Sequence, residues 1–254
     1  LRNFRQGIVN FATMDGMAEF PLPESRAVSL PAWRSERVLE AEILDGLPAE
    51  AATQNLRDMA RVNRLFGGFA ALRGSIRALA GNAPGLRILD VAGGSGATAR
   101  WLAAQWPDAW VIASDLRPDL LALGNGPRCA ADGMALPFPD GAFDVVVSTF
   151  FLHHLDEASL REALREMLRV SRRGVVAVDL VRHPLAYRFL HWTRPLFRWN
   201  WITLVDGPRS VQAAFTPDEL RRLLRDAGFP GATVRMHHPW FRLSVTIPKS
   251  PAAR

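Results

Sequence analysis

Apolar and polar positions follow two different rhythms along the 254-residue chain. From Ser35 to Ala80 apolar residues recur at three- and four-residue spacing, the period of one helix face. "SERVLEAEILDGLP" predicts one helix, stopped by Gly46 and Pro48. "NLRDMARVNRLFGGFAALRGSIRALAG" predicts one or two more, with Gly67-Gly68 as a break and Gly81 as a C-cap. From Leu86 the rhythm changes. "LRILDVA", "AWVIASDL", "AFDVVVSTF" and "GVVAVDLV" are short apolar runs, separated by helical stretches such as "TARWLAAQW" and "SLREALREMLRV". Apolar runs alternating with helices predict a parallel sheet covered on both faces. "TPDELRRLLRDAGF" carries its own signals: Thr216 as N-cap, Pro217 at the first position, Glu219 completing a capping box and Gly228 as the stop. "ATVRMHH" and "FRLSVTI" close the sheet. The expected fold is α/β: a doubly wound, Rossmann-like, mostly parallel seven-stranded sheet.

Two segments stand outside this alternation. Residues 1–34 hold three prolines in "EFPLPESRAVSLP" and no sustained period, which predicts a flexible segment ahead of a domain spanning 35–254. Within that domain, residues 35–81 form N-terminal helices. Residues 183–214, aromatic and basic, read as a helical insertion that serves as a lid.

Composition narrows the function. The net charge is +6, but there is one lysine and the other thirty basic residues are arginines scattered along the chain. Scattered arginine does not make a nucleic-acid footprint, so no nucleic-acid partner is expected. The single cysteine, Cys129, excludes an intramolecular disulfide and a cysteine zinc site. No long uncharged apolar run and no leader pattern is visible, and the expected location is cytoplasmic. Monomer and homodimer are both open.

The stretch "ILDVAGGSGATARWLA" places Gly93, Gly94 and Gly96 between a strand and a helix. Such a loop lets a ligand touch the main chain at a helix N-terminus. It also matches the G-x-G-x-x-A dinucleotide pattern. Asp90 ends the first strand at the loop. Asp115 ends the second, where an acid accepts ribose hydroxyls. Asp132 follows the third strand, suited to an adenine amine.

"LDVAGGSG", "ASDLRP", "ADGMALPFPDGAFDVVVSTFFLHHL" and "EMLRVSRRGVVAVDL" together resemble class I methyltransferases that use S-adenosylmethionine, in particular the small-molecule group of quinone-biosynthesis and natural-product enzymes. The resemblance covers about residues 55–182. It implies that Asp90 and the loop backbone (Ala92, Gly93, Gly94, Gly96) hold the methionine part of the cofactor. It implies that Asp115 with Leu116 takes the ribose, and that Asp132 with Gly133 and Met134 takes the adenine. Thr149 and Phe150 at the next strand end, and Arg64 or Asn63 ahead of the first strand, join them. Ala92 stands where the family shows glycine. If that position needs positive φ, alanine costs about 1 kcal/mol or more.

Methyl transfer from a sulfonium needs alignment and, for a hydroxyl acceptor, removal of a proton. His153 follows the third strong strand and is the expected base. Asp179, at the next strand end, is its expected partner. The expected acceptor is an aromatic or polyketide-like small molecule. His154, Tyr187, Trp192, Asp206 and Arg209 are candidates to orient it. Membrane contact through the aromatic insertion is a second possibility for that segment, and no metal is expected. The alternatives are a nicotinamide oxidoreductase and a non-catalytic nucleoside-binding scaffold.

Overall fold

The computed structural model describes residues 32–249; the expectation for residues 1–34 falls almost entirely outside them. A short turn of helix α1 (Ile43–Gly46) leads into α2 (Ala49–Leu65) and α3 (Gly68–Ala80). The alternating part follows: β1 (Arg87–Val91), α4 (Ala97–Gln105), β2 (Trp110–Asp115), α5 (Pro118–Ala122), β3 (Arg128–Ala130), β4 (Phe143–Thr149), α6 (Glu157–Val170) and β5 (Ser171–Leu180). Helices α7 (Pro184–Phe197) and α8 (Trp201–Ala213) fill the segment that breaks the alternation. The chain ends with α9 (Pro217–Asp226), β6 (Thr233–His237) and β7 (Arg242–Pro248).

The sheet has seven strands in the order β3-β2-β1-β4-β5-β7-β6. The first five are parallel and β7 is antiparallel to both neighbours. The central strands bury both faces by strict alternation. Ile88, Val145, Val147, Val176 and Val178 pack with α3 and α4 residues on one side. Leu89, Val91, Val146, Val175 and Ala177 pack with α6 and α9 residues on the other. Strand order reverses between β1 and β4, and ligands of open α/β sheets bind outside the carboxyl ends at such a reversal.

Local signals act as expected at α9, where Thr216 and Glu219 form the capping box. Gly67 has φ +76° and separates α2 from α3. The predicted helix over 35–48 is a correction: residues 35–42 are not helical, and only Ile43–Gly46 coils. Tertiary contacts outbid the local pattern there. The Val38 amide donates to the Gln212 carbonyl. The Arg37 guanidinium donates to the carbonyls of Ala213, His153 and Leu155 at 2.6, 3.0 and 2.6 Å. A short isolated helix, costly to nucleate, cannot match those bonds.

Candidate active site

The glycine loop leaves β1 at Asp90, which is fully buried. Both of its carboxylate oxygens lack a hydrogen-bond partner among the described residues. A Cβ at Gly93 would come within 2.8 Å of Asp90 Oδ2, so the bare backbone lies directly on the acid. Burial, and then the nearby Asp115 charge, push the Asp90 carboxyl up to about 8. Asp115 Oδ2 accepts from the Gly94 amide at 2.8 Å and Oδ1 from the Arg117 amide at 2.9 Å. Burial still raises its pKa. Leu116 beside it is half exposed. Asp132 Oδ1 accepts from the Met134 amide at 2.9 Å, which folds Asp132-Gly133-Met134 into a tight turn next to Phe151 and Val91. Thr149 hydrogen-bonds Thr98 across the β1–β4 reversal at 3.0 Å. The strand-end acids and the loop thus meet at one edge.

Ala92 has φ +56°, the left-handed region that an L side chain enters at a cost of about 1–2 kcal/mol. Ala92→Gly should therefore stabilise the fold by about 1 kcal/mol. That corresponds to a rise in Tm of roughly 2–4 °C for a domain of this size. A thermal melt checks it; an unchanged or lower Tm would show that the loop relaxes around the methyl group.

At the end of β4, Phe150 also has φ +56° and turns the chain into a single 3-10 turn, Leu152–His154. This brings His153 back over β5. Its Nδ1 lies 2.7 Å from Asp179 Oδ1, and its backbone amide donates to Asp179 Oδ2 at 3.1 Å. Its Nε2 faces Glu42 Oε1 at 3.6 Å. All three side chains are buried, with 8% of Glu42 exposed. Ser210 donates its hydroxyl to Glu42. Burial alone would lower the imidazole pKa, but the charges and contacts of Asp179 and Glu42 raise it to about 10. Burial would likewise raise Glu42, but His153, the charge of His154 and the Ser210 hydroxyl hold it near 2. Asp179 is also held below its usual range against burial, chiefly by His153. At neutral pH the line is carboxylate, imidazolium, carboxylate. A raised imidazole pKa contributes stability that is fully present below the ordinary histidine range and is lost as pH rises through about 10.

His154 lies beside His153, with ring centroids 4.2 Å apart and the planes tilted by 32°. Burial and then the His153 charge depress its pKa. Ligand-type atoms of Glu42, His153 and His154 lie within 4.8 Å of one another.

Glu42 and His153 form one wall of a cavity of about 320 Å³. Asn55, Met59, Val62 and Phe66 line it from α2 and its end, Phe189 and Trp192 from α7, Trp240 from the β6–β7 turn and Arg242 from the start of β7. Arg242 is buried, donates to the Phe66 carbonyl at 3.2 Å and sits over the Phe150 ring.

The other predicted acceptor contacts are used differently. Asp206 touches the cavity, but its two oxygens accept the Ile43 and Leu44 amides at 2.9 and 3.0 Å. It caps α1, whose free amides need an acceptor. Arg209 pairs with Glu40 and Asp206 outside the cavity lining. Tyr187 packs edge-on against Trp33 and is also absent from the lining. Arg64 is exposed at the end of α2, whereas Asn63 is buried against Gly68. Sequence reasoning missed Glu42 and Arg242. The only signal for Glu42 was an acid in a stretch that then failed to become a helix.

A family model described as "Methyltransferase domain" matches residues 89–178. The demethylmenaquinone methyltransferase of Thermus thermophilus is 35% identical over 66% of this chain and 86% of its own length. A ubiquinone/menaquinone biosynthesis C-methyltransferase of Ectopseudomonas mendocina is 36% identical, over 38% of this chain and 41% of its own length. Among solved structures, a SAM-dependent methyltransferase from Aquifex aeolicus shares the fold with a TM-score of 0.52 at 17% identity, covering 82% of this chain and 97% of that one. The nicotinamide and scaffold alternatives give way: the chain belongs to the class I S-adenosylmethionine-dependent methyltransferases, in the group that includes the quinone-biosynthesis enzymes.

Proposed function

We propose that this enzyme methylates a hydroxylated aromatic small molecule, quinol-like or polyketide-like, held in the cavity under α7 and α8. The observation that carries the reading is the buried line Asp179–His153–Glu42 on the wall of that largely apolar cavity. The names of the relatives support the quinol form of the acceptor.

The donor edge fits S-adenosylmethionine. An ammonium group suits the unpartnered, buried carboxyl of Asp90 better than any other group would, because a buried acid is costly without a partner. In this reading Asp90 and the backbone of Ala92, Gly93, Gly94 and Gly96 hold the methionine end. Asp115 and Leu116 hold the ribose. Asp132, Gly133 and Met134 hold the adenine. Thr149 and Phe150 stand between cofactor and acceptor. When bound, the cofactor supplies an electrophilic methyl on a positive sulfur.

The chain's own residues then act on the acceptor's oxygen. The expected base, His153, already carries a proton at neutral pH, and Glu42, held near 2, is too weak a base to take one. A phenolic O–H facing Glu42 donates a hydrogen bond to that carboxylate, which orients the acceptor, and the acceptor's proton is lost to solvent. The oxygen left behind is stabilised by the His153 imidazolium, a preorganised charge in a water-poor site. Loss of the phenolic proton activates the oxygen and also the ring carbon beside it. The same residues therefore serve methylation at either atom.

The reading is tested by calorimetry with S-adenosylhomocysteine. Wild type should bind in the micromolar range, and Asp115→Ala should lose at least tenfold. A positive ligand group beside Asp90 draws its pKa down from about 8, so binding near pH 7 should release a proton. The heat should then differ between buffers of different ionisation enthalpy. The difference should vanish in Asp90→Asn. Folded wild type without binding would sink the site assignment; binding without proton release would remove Asp90 from it.

A further inference from the structure

Most of the charge on the chamber wall is already matched by the protein. Glu42 and His153 face each other, with Ser210 and Asp179 behind them. Asp206 gives both oxygens to the Ile43 and Leu44 amides. Arg242 is different. It is 3% exposed, yet only its Nε has a hydrogen-bond partner, the Phe66 carbonyl. Its two terminal nitrogens, which carry four N–H groups, make no hydrogen bond and no ion pair with any described residue. They are not enclosed by protein atoms either, as the unpartnered oxygen of Asn55 is. They reach the open space of the cavity that Arg242 lines.

A surface arginine keeps its head in water. This one is held inside. It stands at the start of β7, in register with Leu180 at the end of β5. Its head is fixed at two places: Nε is tied to Phe66, and the guanidinium carbon lies 5.0 Å from the centre of the Phe150 ring, within cation–π range. Asp179 acts on it through charge alone, and burial still lowers its pKa to about 10. Free N–H groups in such a place are costly until a ligand accepts from them. With Nε occupied, the remaining donors are the two Nη groups, which lie in one plane. They suit an oxygen that only accepts: a carboxylate most strongly, then a conjugated carbonyl. A hydroxyl that must donate has its own place at Glu42.

We propose that Arg242 selects the acceptor by binding a second oxygen, that of a carboxylate or a conjugated carbonyl, while the hydroxyl faces Glu42 and His153. This rests on the reading of the cavity as the acceptor chamber and narrows it. The substrate class becomes an aromatic hydroxy acid or hydroxy ketone rather than a simple phenol. No bond is made or broken at Arg242; it fixes which molecule enters and which way round.

The test is calorimetry of wild type, Arg242→Gln and Arg242→Lys with phenol, the three monohydroxybenzoates and the three monohydroxyacetophenones, with and without S-adenosylhomocysteine. Wild type should bind at least one of the substituted probes tenfold or more tighter than phenol. A gain confined to the benzoates assigns the bound group as an anion; a gain shared by the ketones assigns it as any accepting oxygen. In Arg242→Gln the advantage over phenol should shrink to threefold or less. Arg242→Lys, which keeps a point charge without the fork, should retain part of the benzoate advantage and lose that of the ketones. Affinity for S-adenosylhomocysteine equal to that of wild type shows that the variants are folded. An advantage that survives in Arg242→Gln would overturn the proposal. So would a wild type that binds phenol as tightly as every substituted probe, a comparison that needs no variant. A wild type that binds none of the probes, phenol included, would strike the chamber reading itself and this proposal with it.

Discussion

Replacing His153 by glutamine should lower the turnover of a quinol or phenol acceptor by two to four orders of magnitude, the usual scale for a positioned proton-handling group. Affinity for S-adenosylhomocysteine should not change. The size of the effect follows from what the imidazolium does. It is the cation of the chamber wall that faces Glu42 directly, held charged by a carboxylate at each nitrogen. Glutamine donates a hydrogen bond but carries no charge, so an oxygen losing its proton nearby gains far less in a water-poor site. The pH profile supplies a second reading. The wild-type imidazolium persists until about pH 10, so wild-type turnover should hold across the neutral range and fall only in alkali. The variant should instead rise with pH as the free acceptor ionises. A variant within threefold of wild type at pH 7 would remove His153 from the chemistry and leave it a packing residue.

Asp179→Ala should cost about 3–5 kcal/mol of stability, the usual penalty for removing one partner of a buried ion pair. Tm should fall by roughly 10 °C. Asp179 is 3% exposed and accepts from the His153 ring, the His153 amide and the Leu180 amide. Its negative charge also supports Arg37 and Arg242, whose guanidinium pKa values burial lowers to about 10. Its removal leaves two buried cations, His153 and Arg242, and the half-buried Arg37 short of a counter-charge. Asp179→Asn keeps the volume and a hydrogen-bond acceptor and should cost less. The sign with pH is fixed by a carboxyl held below its usual range. The stabilisation is present above the ordinary carboxylate range and lost as pH falls. Wild type and Asp179→Ala should therefore converge in acid. Denaturant titrations at pH 7 and at a series of pH values below the ordinary aspartate pKa of about 3.9 measure it; a gap that does not narrow along that series would mean that the aspartate acts through shape alone.

The parts of the molecule that are legible in the sequence are those whose cause is local. Apolar runs, a glycine turn and a capping box act over a few residues, so the strands, the loop at Asp90 and the start of α9 could be read directly. His153 and Asp179 could be paired because two parallel neighbouring strands end at one edge. Glu42 could not. Its stretch has a helical period, but the Arg37 bonds and the Asp206 cap hold the chain extended until Ile43, and those partners lie more than a hundred residues away. That Asp206, which reaches the cavity, also fastens α1 could not be read for the same reason, nor that Arg209 pairs with Glu40 and Asp206. A polar residue in a lid can face the ligand or fasten the lid, and only the fold decides which. Ala92 could be flagged from sequence, but its φ could not be known.

The provenance of the acceptor chamber carries a last consequence. The stretch matched by the methyltransferase family model, residues 89–178, contributes only Phe150 and His153 to the chamber wall. The rest of the lining comes from Leu180 at the very end of β5 and from the segments before β1 and after β5. The molecule thus divides into a donor half and an acceptor half that share little of the chain. A match confined to residues 89–178 speaks for the donor half and leaves what becomes methylated to the segments around it.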